Sequence, residues 1–99
     1  FASANKVKHR EKSIELGEKY LANKQWKKFR ADVTFIMANA YREQAEKLQA
    51  ISASLQMSMT TVGKERAAHT KEQSGKYFDR FFALCDDFLE IIFFKHLLK

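Results

Sequence analysis

Read for apolar spacing, the chain divides into three helical stretches. The longest pattern lies in the middle. Trp26, Phe29, Val33, Ile36, Ala40, Leu48, Ile51, Leu55, Met59 and Val62 recur at mixed steps of three and four, which puts them on one coiled-coil-like stripe of a helix. Gln44, Lys47 and Ser58 interrupt the stripe. It predicts a helix over about residues 24–62, about 58 Å long at 1.5 Å per residue. A first helix is predicted over about 3–22, with Ser3 or Asn5 as N-cap and Asn23 as the break. A third follows over about 64–98. Gly63 is the expected turn, since glycine readily takes the left-handed conformation that ends a helix. Glu65 then falls in a first turn, where the helix dipole favours a carboxylate.

A hairpin centred on Gly63 pairs Leu48 with Phe78, and Ile36 with Glu90 and Ile91. The first helix, folding back at Asn23, would lie beside residues 26–45. The expected fold is therefore all-α: an elongated antiparallel three-helix bundle, continued over about 49–76 by a long two-helix hairpin arm. It forms a single helical domain over residues 1–99. A length above about 50 Å follows from the helix rise, where a compact chain of this size has a radius of gyration of about 13 Å.

The third helix carries a sharper pattern. "YFDRFFALCDDFLEIIFF", residues 77–94, holds six of the nine phenylalanines. Tyr77, Phe78, Phe81, Phe82, Leu84, Cys85, Phe88, Leu89, Ile91 and Ile92 fall in one half of the helix, and Asp79, Arg80, Ala83, Asp86, Asp87 and Glu90 in the other. An apolar arc of about 180° is wider than an ordinary surface helix needs, and two neighbouring helices would cover it. After Ile92 the pattern inverts. Phe94, Leu97 and Leu98 land on the acidic face, with Phe93 at its margin. Either the helix ends near Ile92 and the tail folds back, or further C-terminal sequence covers these residues, or they dock another chain. Phe35, opposite the stripe of the second helix, is a further candidate for that surface.

Composition agrees with helix: there is no proline, only three glycines, and Lys, Glu, Ala, Gln, Leu and Met are plentiful. The single Cys85 excludes an internal disulfide, and an intracellular reducing compartment is favoured. The longest uncharged run is the 16-residue "LQAISASLQMSMTTVG", too short and too polar to span a bilayer. The chain opens on "FASANKVKHREK", with neither an initiator Met nor an apolar signal core, so residue 1 is expected to be an internal cut, a processed end or the first ordered residue of a longer chain.

Net charge is +6, and residues 1–30 account for it with nine Lys or Arg against three Glu. Lys6, Lys8, Arg10, Lys12, Lys24, Lys27, Lys28 and Arg30 are the candidate anion- or nucleic-acid-binding residues, with Trp26 and Phe29 interleaved. The competing reading is a solvated basic face, because Trp26 and Phe29 also begin the core stripe. No chemistry emerges elsewhere. His9, His69 and His96 lack partners at metal-ligand spacing. Cys85 falls inside the apolar arc and is followed by Asp86 and Asp87, where a reactive thiol needs electropositive surroundings. No enzyme activity, metal, cofactor or small-molecule substrate is expected. The chain reads as a protein-interaction or assembly module. It would dock another protein or a second copy of itself through Phe93, Phe94, Leu97, Leu98 and Phe35. The alternative is a module that binds nucleic acid or an anionic membrane through its basic N-terminal segment.

Overall fold

A computed structural model of the protein describes the backbone of residues 2–97 and the side chains of residues 9–94. Three helices make up the chain: α1 (Ala2–Ala22), α2 (Arg30–Gln56) and α3 (Thr61–Leu97). α2 and α3 form a long antiparallel hairpin, and α1 packs back along the base of α2. The body measures 59 × 27 × 19 Å, with a radius of gyration of 16.6 Å. It is an elongated all-α helical bundle with a projecting hairpin, as the spacing of apolar residues predicts.

The helix boundaries depart from expectation at both turns. The second helix begins at Arg30, not near Lys24, because the intervening backbone finds other hydrogen-bond partners. The Asn23 side-chain oxygen accepts from the Gln25 N–H at 3.1 Å, and the Asn23 carbonyl accepts from the Trp26 N–H at 3.1 Å. The Arg30 guanidinium donates to the carbonyls of Leu21, Asn23 and Trp26, capping the end of α1 and holding the loop together. Phe29 closes the loop in the left-handed region, φ 61° and ψ 13°. That conformation costs an aromatic residue about 1–2 kcal/mol.

The hairpin turn lies at residues 57–60, not at Gly63. Thr60 is the cause: its hydroxyl accepts from the Gly63 N–H at 3.0 Å and so caps α3. Ser58 in turn accepts from the Thr60 N–H at 3.3 Å. Gly63 is helical, lacks a positive φ and is buried, and a β-carbon there would collide with the Ser58 side chain. Its smallness is used for close approach.

Moving the turn moves the register. Ser52 donates to the Ala67 carbonyl at 2.7 Å, and Ser74 donates to the Ala45 carbonyl at 2.8 Å. The two bonds are reciprocal across the seam. They place Leu48 between Ala67 and Ser74 rather than beside Phe78, about two helical turns nearer the tip. The seam residues are Thr34, Ala38, Tyr41, Ala45, Leu48 and Ser52 on α2, and Gly63, Ala67, Thr70, Ser74, Tyr77, Phe81 and Leu84 on α3, at alternating steps of four and three. Ala38, Ala45, Ser52, Ala67 and Ser74 are buried. Small side chains at these positions let the two backbones approach, and each serine satisfies its buried hydroxyl on the facing helix.

The predicted stripe of large apolar residues is therefore not the seam. Trp26, Phe29, Ile36, Ile51, Met59 and Val62 are all exposed, Met59 at 96%. Val33, Ala40, Leu48 and Leu55 are half-buried. A pattern weighted toward large residues pointed to the neighbouring face, whereas close helix packing selected small ones.

The three helices share a core only at the base. Met37, Ala38 and Leu84 are buried there, with Ile14, Leu21, Val33, Tyr41, Phe81 and Cys85 packed around them. Gly17 lets α1 approach: a β-carbon would strike the Met37 side chain, which is itself buried. Gly17→Ala is expected to destabilise the fold by up to about 2 kcal/mol. The collision of about 1–3 kcal/mol outweighs alanine's helix advantage of about 1 kcal/mol. Gly75 has nothing within 4 Å of the corresponding position, so Gly75→Ala should stabilise by up to about 1 kcal/mol. Opposite shifts in urea midpoint for the two variants check this.

Candidate docking surface

Where α1 sits decides which flank of the hairpin stays open. α1 lies against α2, and among the described residues its Cα atoms stay beyond 8 Å from those of α3. Side chains bridge the gap. Arg80 of α3 grips Glu18 of α1 through two bonds of 2.9 Å, Nε to Oε1 and Nη2 to Oε2. The Tyr41 hydroxyl donates to Glu18 Oε1 at 3.1 Å. Burial, then the Glu18 charge and its hydrogen bond, push the Tyr41 phenol up to about 12. The hydrogen bond to Glu18 raises Arg80 further above its ordinary value. This clamp fixes α1 to one flank of the α2–α3 pair. Farther along α1, Arg10 donates to Gln44 at 3.1 Å and pairs with Glu43 at 3.5 Å.

Among the described residues the opposite flank has no such cover. Residues two apart on a helix lie about 200° apart, so Phe82 turns away from α1 as Arg80 turns toward it. Leu89 and Phe93, seven and eleven residues beyond Phe82, continue its line. All three are exposed: Phe82 at 59%, Leu89 at 63% and Phe93 at 64%. Phe78 stacks on Phe82 with ring centroids 6.4 Å apart, and Phe81 meets Phe82 at 5.2 Å. From α2, Phe35 reaches the Phe88 ring at 5.5 Å while remaining exposed. A shallow depression on this flank is lined by Asp86, Leu89, Glu90, Ile92 and Phe93. The result is a strip of aromatic and aliphatic side chains rimmed by carboxylates.

The expected docking residues fall as follows. Phe93 and Phe94 are exposed on a helix that runs on to Leu97, so α3 does not stop at Ile92. Phe35 is exposed on α2 and lies against the Phe88 ring. The Leu97 side chain and the whole of Leu98 lie outside the described residues. Phe82 and Leu89 were expected to lie under a neighbouring helix. They belong to the open strip instead, because they lie about 160° and 140° round α3 from the buried Leu84, on the face turned away from α2. Phe93 was legible from the inverted pattern after Ile92, but nothing local to α3 singled out Phe82 or Leu89.

The basic residues separate into two kinds. Arg10 and Arg30 are part-buried and engaged within the fold. Lys12, Lys24, Lys27 and Lys28 are exposed. Lys6 and Lys8 belong to α1, with side chains outside the described residues. Trp26 and Phe29, read from the sequence as core, are 51% and 62% exposed on the loop between α1 and α2. The Trp26 ring lies 5.4 Å from Tyr20, and Lys28 Nζ sits 5.2 Å from the Phe29 ring centre. Cys85 is half-buried beside the basal core. Among the described residues no group of three or more His, Cys, Asp or Glu side chains could hold a metal ion, and no helix is long and apolar enough to cross a membrane. Comparison with protein-family models, curated proteins and solved structures found no match to this chain.

Proposed function

We propose that this protein is a non-enzymatic docking module, which binds another polypeptide through the uncovered flank of its hairpin. The observation that carries this reading is the exposed strip Phe82, Leu89 and Phe93 on the face of α3 turned away from α1, with Phe35 also exposed on α2. Leaving a Phe or Leu in water forgoes about 1.5–3 kcal/mol relative to burial. Several such residues together on one rigid face mark an interaction site rather than scattered surface apolars.

A photoreactive phenylalanine analogue placed at Phe82 tests the proposal, with the same analogue at the exposed Glu65 as control. Covalent adducts to a polypeptide are expected from position 82 and not from position 65. The pair L89S and F93S should abolish the position-82 adduct while helicity and melting temperature stay within the error of wild type. Equal labelling from both positions, or none from the flank, would refute the reading.

A further inference from the structure

The loop between α1 and α2 carries a second apolar surface of opposite charge. Tyr20, Gln25, Trp26, Lys27 and Lys28 line a shallow depression, and Lys24 stands exposed beside it. The loop is held open by the Asn23 turn and by the three carbonyl contacts of Arg30, so Trp26 and Phe29 are presented on a braced backbone. Charge and shape thus divide between two surfaces of one molecule. One is aromatic and ringed by lysines. The other, around Leu89 and Phe93, is apolar and rimmed by Asp86 and Glu90.

Their placement matters as much as their charge. The loop leads into α2, and α3 ends beside the start of α2, so both surfaces lie at the base of the molecule. Lys24, Asp87, Glu90 and Ile91 line one cleft there. Glu18 turns toward α3 to meet Arg80, so Tyr20, about 200° round α1, faces away from α3. Phe82, Leu89 and Phe93 face away from α1. The apolar centres of the two surfaces, Trp26 with Tyr20 and Leu89 with Phe93, therefore face opposite ways, with the cleft of Lys24 and Glu90 between them.

We propose that the occupant of the acidic-rimmed strip is a second copy of this chain, which seats its lysine-ringed Trp26 loop on Leu89 and Phe93. This rests on the docking reading above and names the partner. Because the apolar centres of the paired surfaces face opposite ways, the contact is head-to-tail and leaves a free surface at each end. Copies then add side by side instead of stopping at a closed dimer. Complementary charge around an apolar centre sets which surfaces meet.

Light scattering on the eluting protein across a concentration series tests this. Wild type is expected to rise from 11.6 kDa to twice that mass and beyond as concentration increases. K27E with K28E, which reverses the loop, should remain monomeric, and so should L89E with F93E, which destroys the strip. All four positions are exposed, and circular dichroism would confirm that both variants fold. Mixed in equal amounts, the two variants retain one intact loop and one intact strip. They should form a single heterodimer and nothing larger. Wild type that stays monomeric throughout overturns self-pairing; so does assembly that survives both variants, or a monomer whose lysines instead bind anionic vesicles or oligonucleotides. If the position-82 analogue still captures a different polypeptide, the docking reading stands and only the identity of the partner is wrong. If the flank labels nothing, both fail.

Discussion

Replacing Ala45 with leucine is expected to lower stability by about 3–5 kcal/mol. Ala45 is fully buried in the α2–α3 seam, and its carbonyl accepts the Ser74 hydroxyl at 2.8 Å. Three added carbons have no space there. Overpacking of this kind costs about 1–3 kcal/mol as the helices separate. Separation also breaks the Ser74 bond and leaves a buried hydroxyl without a partner, a further cost of about 1–3 kcal/mol. The reciprocal bond from Ser52 to Ala67 lies one heptad away and would weaken with it. For a domain of this size the melting temperature should fall by roughly 15 °C or more. Ala53 is exposed on the same helix, and Ala53→Leu should stay within about 0.5 kcal/mol of wild type. A neutral Ala45→Leu would mean that the helices do not meet through this seam.

The second large effect is expected at Leu84. Its side chain is fully buried where the three helices share a core, beside Met37 and Ala38 and under Ile14, Leu21, Val33 and Phe81. Leu84→Ala removes buried methyl groups and leaves a cavity, a change that costs about 2–5 kcal/mol. Met37 is flexible enough to fill part of the space, so about 3 kcal/mol is expected, read as a shift in urea midpoint at unchanged slope. The informative comparison is Leu89→Ala, five residues along the same helix. Leu89 is exposed, so its removal should leave stability within about 0.5 kcal/mol of wild type and should weaken association instead. Two leucines alike in sequence context would then separate into a stability role and a docking role. Equal destabilisation by the two would place Leu89 in the core and remove the open strip.

The second effect depends on the position of α1, which completes the basal core around Leu84. The Glu18–Arg80–Tyr41 clamp and the Gly17–Met37 contact hold α1 on one side of the hairpin. Arg80 turns to that clamp, while Phe82 and Leu89 lie about 160° and 140° round α3 from the buried Leu84 and stay exposed.

Local pattern in the chain was enough for three helices, their antiparallel order, the elongated shape and the aromatic crowding at the base. Each depends on composition and periodicity, which act within a few residues. Asn23 as the break after α1 was legible for the same reason, since its side chain hydrogen-bonds its own backbone. Register and facing were not legible. The turn at Met57–Thr60 depends on a hydroxyl cap that outcompeted a glycine, and the seam on small residues whose value appears only when a second backbone lies close. Ala45, Ser52, Ala67 and Ser74 carry little hydrophobic signal, yet they are the buried contacts. Trp26, Phe29 and Ile36 carry a strong one and face solvent. Hydrophobicity says how much a residue gains from burial. Which residues are buried was decided by how closely two helices could approach, and by which flank the third one left open.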